Sequence, residues 1–298
     1  MAVTDATAEL IAAEDKGASW TAKLWALIRR KPLGAAGAFV ILFLIVISAL
    51  APFITGYDPV QNSWGEMHVA PNWAHWFGTD QFGRDILTRL VYGARTALFV
   101  GFAASSIGAT VGLVLGVSSA YFGGRFDLIF QRLMDIFMSF PLIIMALAVV
   151  SIMGTGADKV IFAITIPFIP RCARVVRASA LAVREIPYVD AARTLGFNHK
   201  RIILRHMVPN VMAPYLIMLT TFMGQAILLE ASLSYLGLGV QEPTPAWGLM
   251  LQGGAEEYAE SAPWIPIFPG LAITIGVFAF NLFGDALRDT LDPRLRSQ

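Results

Sequence analysis

Apolar residues are concentrated in six stretches that contain no Asp, Glu, Lys or Arg. These stretches cover residues 32–57, 96–122, 136–151, 160–170, 211–229 and 261–284. A helix needs about 20 apolar residues to cross a hydrocarbon core about 30 Å thick, and we interpret five stretches as clear spans. The fourth reaches span length only if it continues through Arg171, Arg174 and Arg177, whose side chains can extend to the interface. The pattern therefore predicts an all-α integral membrane protein with six transmembrane helices.

The polar stretches between these spans predict the organisation of the chain. We expect a cytosolic tail with an amphipathic interfacial helix over 1–31, followed by a first transmembrane helix over 32–57 and an external segment over 58–95. A five-helix core is expected over 96–292, and it contains a cytosolic loop over 178–209. A second cytosolic tail is expected over 293–298. In the first region Trp20, Leu24, Leu27 and Ile28 fall on one side, which is typical of a helix on a membrane surface. A disordered tail is an equally good interpretation of 1–31.

Composition agrees with a membrane protein and excludes several other classes. The chain is 56% hydrophobic and 14% charged, whereas soluble domains are about 25% charged. The net charge is +1, so we expect no nucleic-acid partner. The single Cys172 excludes an internal disulfide and a cysteine-based metal cluster. Membrane lipid is the surrounding medium that this composition predicts.

The distribution of basic residues predicts the orientation. If the N-terminus is inside, 18 of the 22 Lys and Arg residues fall in internal segments. The other four, Arg84, Arg89, Arg95 and Lys159, then lie outside. Because short cytoplasmic loops carry the excess of positive charge, we expect both termini and the loop 178–209 to be cytosolic.

This cytosolic loop contains a short helix that an ordinary connection does not need. Pro187 suits a first helical position, Tyr188 to Leu195 can form about two turns, and Gly196 can supply the left-handed residue that ends them. Asp190 lies in the first turn, where a carboxylate complements the helix dipole. Ala191 and Ala192 have small side chains that let another protein approach closely. The alternative is a solvated basic loop with incidental alanines.

A second helix follows in the loop. Asn198 can cap a helix over residues 199–207, which Pro209 is expected to end before the fifth span begins.

The loop resembles the signature loop of permease subunits in binding-protein-dependent ABC importers. That pattern is Glu-Ala-Ala, three residues, Gly, nine residues, then Ile-x-Leu-Pro. The chain has Asp190-Ala191-Ala192, Gly196 and Pro209 in register, and it departs at Asp190, His206 and Val208. The resemblance implies a coupling helix on an ATPase subunit, with contact residues Tyr188, Asp190, Ala191, Ala192, Leu195, Gly196 and Pro209.

Three further stretches are similar to the dipeptide, oligopeptide and nickel branch of these importers. They are GTDQFGRDILTRLVYGAR (78–95), YFGGRFDLIFQRLMDIFMSFP (121–141) and LEASLSYLGLGVQEPTPAWG (229–248). The first points to the second of the two permeases that such importers pair. The resemblance implies a type I importer permease fold in the bacterial cytoplasmic (inner) membrane, and a permease core over 96–292. It also implies a heterodimer with another permease, two cytosolic ATP-binding subunits and an extracytoplasmic substrate-binding protein. Dipeptides or oligopeptides are the expected solutes.

The chain lacks the residues that would bind a nucleotide itself. No G-x-x-x-x-G-K-[ST] motif occurs, so a P-loop is excluded. We therefore expect no catalytic residue, no cofactor and no metal site in this chain, with ATP and Mg²⁺ bound by the partner ATPase subunits.

Several residues are candidates for the translocation pathway or its gate. Ser139, Phe140 and Pro141 can kink the third span, although a kink that serves only packing is an equally good interpretation. Glu230 at the end of the fifth span and Gln225 deeper within it are candidates for the external gate and the pathway wall.

Two other functions are alternatives to an importer permease. An ion-coupled secondary transporter would favour ionisable residues at mid-depth of its spans, and no acidic residue is expected there. A membrane enzyme of the prenyltransferase type would need paired Asp-rich motifs. Asp285, Asp289 and Asp292 form a single cluster at the chain end, alternating with arginines.

Overall fold

The computed structural model describes residues 28–255 and 257–291, and the regular secondary structure of these residues is helical. Eleven α-helices are present in this part: α1 (Pro32–Ala49), α2 (Ala51–Ile54), α3 (Ile86–Phe122), α4 (Gly124–Met138), α5 (Leu142–Met153), α6 (Ala157–Arg184), α7 (Pro187–Thr194), α8 (His199–Ile202), α9 (Met212–Tyr235), α10 (Trp247–Ala255) and α11 (Trp264–Leu291). A 3-10 turn covers Trp64–Glu66. The all-α prediction is confirmed.

Four helical segments are long and apolar enough to cross a membrane: Pro32–Ala49, Ile86–Phe122, His199–Tyr235 and Trp264–Leu291. A fifth candidate is the pair α4 and α5, which is bent by 88°. Helix α6 continues through Arg171, Arg174 and Arg177, as the sequence required for a fourth span. The integral membrane fold is thus established, while the count of six spans stays a prediction.

Helix α3 begins ten residues before the apolar stretch that predicted it. The Asp85 side chain caps it by accepting a hydrogen bond from the Thr88 amide at 2.8 Å. Charged residues in its first turns are compatible with the helix, because the Arg89 and Arg95 side chains donate to the backbone carbonyls of Pro59 and Ser48. The 37 residues of α3 extend about 55 Å, well beyond a hydrocarbon core of about 30 Å. The expected external segment 58–95 therefore ends within a core helix.

Close helix crossings at glycine hold the bundle together. Along α3, an added Cβ atom would lie 2.8 Å from the Phe168 Cβ at Gly108, 2.6 Å from the Cys172 Cβ at Gly112, and 2.5 Å from the Ala173 carbonyl oxygen at Gly116. Small residues at this spacing let membrane helices approach closely. Phe168 of α6 also stacks on Phe222 of α9, with ring centroids 4.1 Å apart. Helices α3, α6 and α9 thus form the main core.

Helices α1 and α11 pack against each other in the same way. An added Cβ at Gly34 would lie 2.1 Å from the Ala286 Cβ. Lys31 donates to Asp289 at 2.6 Å, so the start of α1 and the end of α11 lie on one side of the bundle. The cytosolic assignment of that side stays a prediction. The tails, including Trp20, Leu24, Leu27 and Asp292, lie outside the described residues.

Candidate coupling site and translocation pathway

Helix α7 forms where the sequence predicted a short helix. Pro187 occupies a first-turn position and the helix runs to Thr194. Gly196 follows with φ +77°, the left-handed conformation that favours glycine. Leu195 lies between them with 73% of its surface exposed, so an apolar side chain stands at the end of the helix.

The two alanines of α7 differ in burial. Ala191 is exposed, whereas Ala192 is 3% exposed and packs in the core cluster with Val183, Val189 and Ile202. The expectation that both alanines form an open contact surface is therefore wrong for Ala192. Its small side chain lets α7 lie close to the bundle, because a helix buries one face and exposes the other.

Tyr188 ties α7 to the segment that leads into α9. Its hydroxyl donates to the His206 carbonyl at 3.0 Å and accepts from the Asn210 side chain at 2.8 Å. The Asn210 side chain also donates to the His206 carbonyl at 2.7 Å. Asp190 remains on the surface, where it accepts a hydrogen bond from Arg193 at 3.0 Å. Tyr188 thus acts within the chain, and Asp190 is oriented by its own helix.

The second helix of the loop does not end at Pro209. Asn198 caps it as predicted, accepting from the Arg201 amide at 2.8 Å. The chain then passes through a π turn over Ile203–Met207 and a 3-10 turn over Val208–Val211 into α9. Pro209 lies near the start of the 3-10 turn, where a missing amide donor is tolerated. The prediction of a break here is wrong.

His206, one of the departures from the signature pattern, packs between aromatic rings. Its ring lies 6.3 Å from Phe197 with an interplanar angle of 13°, and 5.8 Å from Tyr188. A ring contact inside the loop thus occupies the position where the signature pattern has isoleucine.

The loop is also joined to the end of α3. The Tyr121 hydroxyl and the His199 Nδ1 atom lie 2.7 Å apart, and the Arg193 guanidinium stands 5.2 Å above the Tyr121 ring. Arg184 at the end of α6 donates to the Ala120 carbonyl at 2.9 Å. A displacement of α7 and α8 therefore reaches α3 directly.

The bend expected at Ser139, Phe140 and Pro141 is present as the 88° break between α4 and α5. All three residues are exposed, and Ser139 Oγ donates to the Ile136 carbonyl at 2.7 Å. Backbone polar groups that the bend leaves without an intrahelical partner need water or protein around them. The place of the bend in the pathway stays a prediction.

Glu230 and Gln225 lie differently from what their positions in the sequence suggested. Helix α9 continues to Tyr235, so Glu230 lies more than a turn inside its end and is 0% exposed. One carboxylate oxygen accepts from Ser234 Oγ at 2.8 Å, and the other has no partner among the described residues. Gln225 is half-buried with an unpartnered Oε1 atom. Glu230 is thus not exposed at a span end in this structure.

The sequence did not predict a buried ion network on the predicted external side. Arg84 donates to Asp80 and to Glu242, each at 2.7 Å, and the wholly buried Arg89 lies 3.4 Å from the same Glu242 carboxylate. Burial lowers the pKa of Arg84, but hydrogen bonding and the charges of Glu242 and Asp80 outweigh it, so the pKa is raised. Arg89 also donates to the Pro59 carbonyl at 2.8 Å. The network joins the segment before α3 to the loop between α9 and α10.

A helical membrane bundle with a short helix on a basic loop is the architecture of an ABC importer permease subunit. The model of the family described as binding-protein-dependent transport system inner membrane component matches residues 112–297, more than half of the chain. The chain belongs to this family. The N-terminal transmembrane domain of oligopeptide transport permease C matches residues 19–71.

Relatives along nearly the whole chain carry transport names. A putative peptide transport system permease of Brucella suis biovar 1 (strain 1330) is 44% identical, over 91% of this chain and 90% of its own length. The dipeptide transport system permease of Bacillus subtilis (strain 168) is 37% identical over 93% and 87%. The glutathione transport system permease of Escherichia coli O6:K15:H31 (strain 536 / UPEC) is 38% identical over 92% and 90%.

Solved structures agree in fold. The methionine ABC transporter MetNI in an inward-facing conformation matches with a TM-score of 0.55 at 19% identity, over 70% of this chain and 98% of that chain. An amino acid ABC transporter matches with a TM-score of 0.51. The protein is thus a bacterial inner-membrane permease of the type I importer fold. It works with ATPase and substrate-binding components.

Proposed function

We propose that this chain is a non-catalytic permease subunit of an ATP-driven peptide importer, in which it forms half of the translocation pathway. The observation that carries the proposal is its similarity, over about nine-tenths of both chains, to permeases named for peptide and dipeptide transport. The proposed complex contains a second, different permease, two cytosolic ATP-binding subunits and an extracytoplasmic substrate-binding protein.

The surface proposed to receive the ATPase subunit is the exposed side of α7 with Asp190, Ala191 and Leu195. Because Leu195 is 73% exposed at the end of this helix, we propose that it inserts into an apolar cleft on the ATPase. Tyr188 and Pro209 are also exposed and are proposed to border this surface, while Ala192 packs beneath it in the core. The conformation of Gly196 lets the chain turn away from it.

A direct experiment tests the peptide assignment. The complete complex is reconstituted into proteoliposomes, and ATP-dependent uptake of a radiolabelled dipeptide is measured with the binding protein present. Uptake that requires ATP and the binding protein supports the proposal. Glutathione is the second candidate solute, because the chain is 38% identical to a glutathione transport system permease. Stimulation of ATP hydrolysis by glutathione but not by dipeptides would favour it.

The non-catalytic assignment has its own test. The purified chain without partners is expected to show no ATP hydrolysis, since it has no P-loop motif. ATP hydrolysis by a preparation verified as a single chain would contradict the assignment.

A further inference from the structure

Helix α4 is the least buried long helix of the bundle. Of its fifteen residues only Met134 is buried. Large apolar side chains such as Leu128, Ile129 and Ile136 are 60–67% exposed. Packing against this chain therefore contributes little to the position of α4, and other contacts must fix it.

Two ion pairs to α6 supply those contacts. Arg177 donates from Nε to Asp127 at 2.5 Å and from Nη2 to the second oxygen of the same carboxylate. Arg174, one turn earlier on α6, donates to Asp135. A bidentate guanidinium–carboxylate pair is directional as well as attractive. Asp135 has one other close cation, Arg132 of its own helix, at 3.8 Å.

The spacing of the two pairs fixes the direction of α4 as well as its position. Asp127 and Asp135 are eight residues apart, about 12 Å along a helix axis. Two ion pairs at this separation restrict both the translation of α4 along α6 and the rotation of α4 relative to α6. Ser119 of α3 adds a hydrogen bond to Asp127 at the first of these pairs.

The chain bends at both ends of α4, so the helix can pivot at these two places. Gly123 precedes it with φ +63°, and Gly124, its first residue, has φ +55°. The 88° break at residues 139–141 follows it. Hinges are a few residues at the ends of elements that absorb backbone rotation.

Helix α6 connects these pairs to the coupling site. It ends at Arg184, and α7 begins at Pro187. Val183 of α6 and Val189 and Ala192 of α7 belong to the same core cluster, which links the start of α7 to the end of α6. A displacement of α7 has a direct path to α6, the helix that carries Arg174 and Arg177.

We infer that Arg174 and Arg177 are positioning residues of transport: they carry the displacement of α7 to α4 and thereby turn the α4–α5 bend. The inference rests on the proposed function only in that α7 receives the ATPase. Substrate is not required to contact either arginine.

The test compares uptake and ATP hydrolysis in the same proteoliposomes, using the complete complex. Asp135→Asn and Arg174→Gln are each expected to lower the solute transported per ATP by about two- to fivefold, while stimulated hydrolysis persists. The reversed pair, Asp135→Arg with Arg174→Asp, is expected to restore the ratio. Arg125→Gln removes an exposed cation of α4 and is the matched control. It is expected to leave the solute transported per ATP unchanged. Single variants with the wild-type ratio, or a reversed pair no better than the single variants, would overturn the inference.

A distance measurement is a second, independent test, and it needs no transported solute. Spin labels are placed at Ile129→Cys on α4 and Ala182→Cys on α6, both exposed, while Cys172 is 0% exposed and stays unlabelled. The distance is expected to be the same in the nucleotide-free and ATP-bound complex, and to differ between the two states in the Arg174→Gln/Arg177→Gln variant. A change in the unmodified background, or constancy in the variant, contradicts the inference. Failure of dipeptide uptake by the wild-type complex would instead contradict the proposed function.

Discussion

The Tyr121 hydroxyl at the end of α3 lies 2.7 Å from the Nδ1 atom of His199 at the start of α8. The two residues are 78 positions apart in the sequence. Their contact joins the longest helix of the bundle to the loop proposed to receive the ATPase. A motion of that loop therefore acts on α3 without passing through lipid or solvent.

Tyr121→Phe is expected to weaken the coupling of ATP hydrolysis to uptake. Loss of one hydrogen bond removes about 0.5–1 kcal/mol, which corresponds to a two- to fivefold change. The measurement is solute transported per ATP in proteoliposomes. Tyr92→Phe on the same helix is the control, because the Tyr92 hydroxyl has no hydrogen-bond partner among residues 28–255 and 257–291. Equal amounts of solute per ATP for both variants would show that the Tyr121–His199 contact does not couple ATP hydrolysis to uptake.

Ala192→Trp is expected to abolish uptake by displacing α7 from the bundle. The side chain is 3% exposed, and overpacking a filled site costs about 1–3 kcal/mol or more. The melting temperature of the purified permease should fall along with uptake. Ala191→Leu, on the exposed side of the same helix, should lower uptake without lowering the melting temperature. Wild-type uptake by Ala192→Trp would refute the role of α7.

Gly112→Leu is expected to prevent assembly of the α3–α6 core. A Cβ atom at this position would lie 2.6 Å from the Cys172 Cβ and 2.9 Å from the Ile169 carbonyl oxygen, so backbone must move. The amount of monodisperse protein extracted from membranes should fall severalfold. Gly65→Ala is the control, because nothing lies within 4 Å of its Cβ position. Equal yields from the two variants would contradict the close crossing.

Arg84→Met is expected to destabilise the external network. It leaves the Asp80 carboxylate, which is 7% exposed, without its 2.7 Å partner. Breaking a buried pair costs about 3–5 kcal/mol, whereas an exposed pair is screened by solvent and contributes little to stability. The melting temperature should therefore fall much more than for Lys159→Met, whose partner Asp158 is 66% exposed. Equal shifts would show that the network does not stabilise the fold.

The local features of the coupling loop were accessible from the sequence because each rests on residues close together in the chain. Pro187, Asn198 and Gly196 set helix starts and a turn by their own backbone preferences, and the structure has all three. The bend at residues 139–141 was expected for the same reason. Pro209 misled because the π turn before it keeps the chain helical.

Features that depend on distant contacts were not accessible. The charge-free stretch 96–122 predicts a start of α3 that is ten residues too late, because Arg89 inside this helix is paired with Glu242, which lies 153 residues away. The burial of Ala192 and Glu230 likewise depends on which neighbouring helix covers them.

The sequence by itself determined the membrane as solvent, the helical class and the signature loop, because hydropathy, periodicity and turn preferences are local properties. Only the tertiary structure decided which charges meet. The Asp127–Arg177 and Arg84–Glu242 pairs join residues 50 and 158 positions apart. Such pairs form because a charge removed from water needs a partner, and which partner it finds depends on how the helices cross.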